Sequence, residues 1–262
     1  MHKIKLKLRG IEQILEGKVD DQGMVEIQGI DYDADTLPVD VPINGTLYGT
    51  LLNYKGAFER LEPSMSEAPY KNPPKAPVLY IKPKNTFISH RKAIPLPENV
   101  ETLEIGAALG IVIGKTATKV AEEEALDYVA GYTVVNDVSI PHESVHRPAV
   151  KEKARDGFCP IGPWITSSES VQNPNDLHIT VSVNGEVKQE NTTKNLIRSV
   201  EKLLADVTEF MTLKKGDVLL VGVPENAPQA KENDLVKIEI EGIGSIENRI
   251  IPEKDVIGGD TV

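Results

Sequence analysis

Apolar and polar residues alternate with a period of two along much of this chain, the spacing of half-exposed strands. Ile4, Leu6 and Leu8 interleave with Lys3, Lys5, Lys7 and Arg9. Asp20, Asp21, Gln22 and Gly23 supply turn chemistry between residues 15–19 and 24–27, which predicts a hairpin. Ala107–Ile113 is an unbroken apolar run short enough for a buried strand, and Tyr132–Val138 reads as the next one. Residues 177–183, an Asn184–Gly185 turn and residues 186–188 give a second hairpin signal. Val218–Val221 and a hairpin around Gly242 complete the strands. Helical spacing occurs twice. Residues 122–130 carry acids at their start and Ala125, Leu126 and Val129 on one side. Residues 191–211 align Leu196, Val200, Leu203, Leu204, Val207 and Phe210. Short strands with two helices predict a β-rich α+β fold. Residues 1–46 read as a small N-terminal β domain, and 47–262 as the main one. The run 62–75 holds Pro63, Pro69, Pro73 and Pro74, which argues against regular helix or central strand and predicts a surface loop or a lid.

Charge and composition narrow the partners. The net charge is -11, from 29 basic and 40 acidic residues, which opposes non-specific nucleic-acid binding. No apolar run approaches the ~18 residues of a membrane helix. The N-terminal residues read as a strand and not as a leader, so cytoplasmic residence is the expectation. The single Cys159 excludes an internal disulfide or a cysteine metal cage. His142, Glu143 and His146 fit H-E-x-x-H, a zinc-hydrolase pattern, but Pro141 and Pro148 leave room for only two helical turns. The match reads as chance in a loop.

Several blocks agree in order with one known family. Leu51–Tyr54 answers its G-x-N-Y, and Lys82-Pro83 its K-P. Ile111–Lys115, Gly131-Tyr132, Asn136-Asp137, Lys153, Pro160–Pro163, Asn184-Gly185 and Gly216-Asp217 follow in sequence. On these residues the chain resembles the fumarylacetoacetate hydrolase family. Residues 114–120, 147–162 and 208–217 are most similar to the N-terminal half of the bifunctional isomerase/decarboxylases of 4-hydroxyphenylacetate (homoprotocatechuate) breakdown. The resemblance implies a mixed β-sandwich or roll. It also implies decarboxylation of 5-oxopent-3-ene-1,2,5-tricarboxylate and isomerisation of 2-hydroxyhepta-2,4-diene-1,7-dioate on a divalent metal, magnesium or manganese. Asp137, Lys153 and Lys82 are the implied catalytic residues. Tyr54, His142, His146 and Arg147 are the candidate contacts to a small dicarboxylic 2-oxo acid, with Arg91 a further carboxylate fork. A homodimer, or a heterodimer with a related family subunit, is the expected assembly, with neither nucleic acid nor membrane as partner.

The chain departs from the family at the metal. Active relatives carry Glu-x-Glu on one strand face, and anchoring on Val112–Lys115 puts Gly106 and Ala108 there. Asp137 remains as a lone carboxylate, so the ion is expected to be weakly held or absent. Glu104 lies two residues before Gly106, and coordination from it needs a register shift. The family's lid His and Glu fall on Ala57 and Arg60, and its T-G-T-P loop on Val221–Pro224. Lys153, Arg155 and Asp156 have a second reading, a buried structural ion cluster. The chain alone is therefore expected to be a degenerate family member: a weakened enzyme, or a non-catalytic partner of an active one.

Overall fold

The computed structural model describes residues 1–20, 22–68, 71–142 and 149–256. From the N-terminus, β1 (His2–Leu8), β2 (Ile14–Val19), β3 (Met24–Ile27), β4 (Ile30–Asp33) and β5 (Val39–Asp40) precede β6 (Leu47–Leu51), α1 (Lys55–Met65) and β7 (Val78–Lys82). Then come β8 (Phe87–Ile88), β9 (Ile94–Leu96), β10 (Thr102–Glu104), β11 (Ala107–Ile113), β12 (Val129–Asn136), α2 (Val150–Lys153) and β13 (Cys159–Ser167). The remainder is β14 (His178–Val183), β15 (Glu186–Thr192), α3 (Val200–Phe210), β16 (Val218–Leu220), β17 (Gln229–Lys231), β18 (Leu235–Ile240) and β19 (Gly244–Pro252).

One large sheet runs in the order β4-β3-β2-β1-β13-β12-β11-β16-β6-β7, with β5 and β8 attached at its side. A five-stranded sheet, β15-β14-β18-β19-β9, forms the second layer. The alternation of side chains along β11 divides the apolar residues between two cores. Ala107, Leu109, Ile111 and Ile113 join Ile179, Val181, Ile238, Ile246 and the α3 residues Leu203, Leu204 and Val207 in the main core. Ala108 and Val112 face the other way, with Leu47, Val135, Cys159 and Ile161. A third cluster, Ile4, Leu6, Val25, Ile27 and Val39 with Trp164, joins the N-terminal strands to β13.

This is the β-rich α+β fold that the strand spacing predicts, and all three hairpins form, the β14–β15 ladder with a register shift between Val181 and Ser182. Three expectations about local structure change. Residues 122–128 are a 3-10 helix, and the long helix expected over 191–211 exists only as α3. Residues 191 and 192 are instead claimed by β15, whose ladder to β14 satisfies their backbone. Ser199 then caps α3 by accepting from Lys202 N. The proline-rich run is not loop throughout, because α1 continues through Pro63 to Met65. Pro63 is tolerated in the last turn, where the carbonyl it deprives belongs to exposed Glu59.

Candidate functional site

The end of β12 and the start of β11 set the site. Asp137 N donates to Gly106 O at 2.8 Å, and Ala108 pairs with Val135. Positions 106 and 108 therefore share the face on which Asp137 projects. Neither carries an oxygen ligand. A Cβ on Gly106 lies 2.5 Å from Asp137 O and 3.1 Å from a Val223 methyl, so the backbone is closed against any side chain there. Glu104 belongs to β10, where it pairs with Gln229, and not to β11. Among the described residues no group of three or more His, Cys, Asp or Glu comes together.

Asp137, 2% exposed, is enclosed by cations. Lys82 Nζ stands 2.9 Å from Oδ1 and Lys153 Nζ 2.9 Å from Oδ2. Tyr80 donates its hydroxyl to Oδ2. Burial alone raises a carboxyl's pKa, but Lys153 and Lys82 overcome it and hold Asp137 well below the ordinary carboxylate range. The Lys82 side chain is wholly buried, and burial pulls its ammonium below the usual lysine range against the opposing pull of Asp137. It also donates to Val138 O and Lys153 O, both at 2.8 Å. The two carbonyls accept its hydrogen bonds, while Asp137 Oδ1 faces it as a charge without an aligned donor among the described residues.

The local sequence explains these placements. Tyr80 and Lys82 are two apart on β7 and so share a face. Gly49, directly across on β6, leaves the space that the Tyr80 ring fills: a Cβ there lies 2.0 Å from its Cζ. Burial, then the Asp137 charge, lift the Tyr80 phenol far above its usual range, which fixes it as a neutral donor. Cys159 lies nearby with its thiol pushed up to about 12 by burial, so it offers no thiolate.

Of the expected site residues, Asp137, Lys153 and Lys82 converge, and Tyr80 joins them without having been anticipated. Its signal was its two-residue spacing from Lys82, a polar tip on an inward-facing strand position. The alternative cluster of Lys153 with Arg155 and Asp156 does not form. Arg155 reaches Glu253 at 3.7 Å, and Asp156 accepts from Asn85 at 2.6 Å. Arg91 pairs with Asp35 on the surface. His142 is exposed, while His146 and Arg147, and with them the H-E-x-x-H segment, lie outside the described residues.

Tyr54 sits in the main core, 0% exposed, and not in the Asp137 cluster. Burial, then the Glu225 charge, raise its pKa. Glu225 lies against the first turn of α1, where a Cβ on Gly56 falls 2.3 Å from its carboxylate carbon. Arg60, at the family's lid position, donates to Asn226 at 3.4 Å, so the same loop holds α1 twice. The distal end of the proline-rich run lines a surface groove of about 600 Å³ with Leu51, Phe58 and Ile197, and Arg198 donates to Lys75 O at 2.6 Å. No described helix is long and apolar enough to cross a membrane.

Known proteins place this geometry in context. The chain is 40% identical over 214 residues to the 4-hydroxyphenylacetate degradation bifunctional isomerase/decarboxylase of Escherichia coli, covering 82% of this chain and 49% of that protein. The counterpart from Salmonella dublin is 43% identical over 212 residues, covering 80% and 48%. The chain thus spans about half the length of these relatives. The crystal structure of 2-hydroxyhepta-2,4-diene-1,7-dioate isomerase from Mycobacterium marinum superposes with a TM-score of 0.77 at 26% identity, covering 97% of this chain and 99% of that one. Residues 46–251 match the fumarylacetoacetate (FAA) hydrolase C-terminal model, and the chain belongs to the fumarylacetoacetate hydrolase family.

Proposed function

We propose that this chain is the metal-free half of a two-part isomerase/decarboxylase of 4-hydroxyphenylacetate-type catabolism, paired with a family chain that keeps its metal carboxylates. One observation carries the reading: both oxygens of Asp137 are already taken by ammonium groups. A hard dication needs several anionic or carbonyl oxygens around it. Here one carboxylate is shared by two lysines and a phenol, and positions 106 and 108 supply nothing. These residues do not fit magnesium or manganese. The similarity to one half of the bifunctional relatives supports pairing, with this half contributing fold and contact surface while its partner performs the chemistry.

The test measures turnover of 2-hydroxyhepta-2,4-diene-1,7-dioate with manganese, first by the purified chain, then after adding a family chain that retains Glu-x-Glu. The expected result is no turnover alone, co-elution with the partner, and higher partner activity in the complex. Metal-dependent turnover by the chain alone overturns the reading and restores it as a self-sufficient enzyme.

A further inference from the structure

We propose that this chain pairs with a second copy of itself through α3, each copy setting its Phe210 into the surface groove of the other. Such pairing is independent of whether the chain turns over a substrate, and it uses none of the Asp137 cluster.

One face of α3 is dry and the other is bare. Val200, Leu203, Leu204 and Val207 are buried in the main core. Lys202, Asp206, Glu209 and Phe210 stand at i, i+4, i+7 and i+8, which is one stripe of the helix. Phe210 is 61% exposed, although its spacing groups it with the core residues. A bare aromatic ring is apolar area that a partner can remove from water. The same helix supplies Lys202 and Asp206 to the groove, beside Leu51, Phe58, Val78 and Ile197. Leu51 and Ile197 are themselves 43% and 42% exposed. At about 600 Å³ the groove has room for an aromatic side chain.

Charge selects the occupant. With a net charge of -11, copies of this chain repel each other unless cations meet acids locally. In the groove cations are in excess, because Lys75, Arg198 and Lys202 line it with Asp206 as the one acid. Asp206 is already engaged within its own chain, by Arg198 Nε at 2.9 Å and Lys202 Nζ at 2.8 Å. Lys75 and Glu209 are exposed and form no ion pair among the described residues. The stripe thus has its cation toward the start of α3 and its free acid toward the end.

That polarity matches itself under a two-fold axis. Lys202 and Phe210 lie four residues either side of Asp206, about 6 Å along the helix in each direction. Setting two copies of α3 antiparallel about Asp206 therefore brings each Phe210 opposite the other copy's Lys202 and its groove. Glu209 then faces the groove's cations, the unpaired Lys75 among them. A symmetric contact requires one patch to carry both the socket and the group that fills it. This stripe carries both.

The experiment is sedimentation velocity on the full chain from low to high micromolar concentration, where a monomer–dimer equilibrium is expected. Phe210→Glu strikes both halves of a symmetric contact and is expected to weaken dimerisation roughly a hundredfold or more. Glu209→Lys and Lys75→Glu each weaken it roughly tenfold, and the chain carrying both regains most of that loss. All three positions are exposed, so the variants are expected to keep the circular dichroism of the unaltered chain. A monomer at every concentration overturns the proposal. So does a dimer that survives Phe210→Glu, or a double exchange that recovers nothing. A chain that is monomeric alone yet binds a Glu-x-Glu family chain through Phe210 also overturns it, and leaves the pairing proposed above in place.

Discussion

Two polar regions sit on opposite sides of the β11–β12 layer, and they are finished to different standards. Around Asp137 each carboxylate oxygen lies 2.9 Å from an ammonium and Tyr80 adds a phenol, so charge surrounds the group even though Oδ1 accepts no aligned hydrogen bond. At the root of α1, by contrast, Tyr54 Oη, Glu225 Oε2 and Gln189 Oε1 are buried without a protein partner among the described residues. Glu225 keeps one contact on its other oxygen, Asn191 Nδ2 at 3.2 Å, and its carbonyl accepts from Gln189 at 2.6 Å. The first region is a closed electrostatic unit. The second is held together by shape, with Gly56 admitting a carboxylate to a helix start that has no acid of its own. Charge holds the first region together, while most of the unsatisfied groups lie at the root of α1.

The largest expected effect follows from breaking the first region. Lys82→Met leaves Asp137 half-paired and takes the lysine donor from Val138 O and Lys153 O. It is expected to cost about 3–5 kcal/mol, the usual penalty for breaking a buried ion pair, measured by denaturant unfolding. A difference under about 1 kcal/mol would show that the cluster is not the closed unit described.

Acid sharpens the comparison next. Asp137 has a folded pKa below its unfolded value, so the stability it contributes is present above about pH 4 and lost as pH falls toward the folded value. Asp137→Asn is therefore expected to flatten the acid limb of a pH-stability curve. An unaltered limb would remove Asp137 as its source.

Tyr80→Phe deletes one hydrogen bond to a charged group and is expected to cost about 1.5–3 kcal/mol, less than Lys82→Met because both ion pairs survive. Equal losses for the two variants would mean that the phenol, and not the lysine, holds the cluster. The smallest effect belongs to the second region. Glu225→Gln removes a buried charge whose Oε2 has no partner, so its stability change is expected within about 1 kcal/mol of zero and of either sign. A loss comparable to that of Lys82→Met would erase the distinction between the regions.

Much of both sheets was legible because period-two spacing survives wherever a strand has one wet face, as in β1 and β14. The helices were harder. The pattern from Asn191 is helical in spacing, yet β14 captures residues 191 and 192 first, and no local signal announces a neighbouring strand's claim. Pro63 misled because the rule against helical proline concerns helix interiors, and the sequence does not mark where a last turn falls. At the site, the absent carboxylates at 106 and 108 could be read directly, since a missing side chain is visible in one dimension. What replaced them could not. Lys82 and Lys153 are 71 residues apart in the chain, and their meeting at Asp137 depends on β7 and α2 coming together in the fold. The Gly49–Tyr80 fit is a cross-strand fact with no sequence counterpart.

The closed backbone at Gly106 makes the arrangement hard to reverse. A glutamate introduced at position 106 would meet the carbonyl of Asp137 before its carboxylate could reach any ligand. A second at position 108 would put a charge among Leu47, Val112 and Val135. Gly106 is thus a position where any added side chain has to move backbone before it can act.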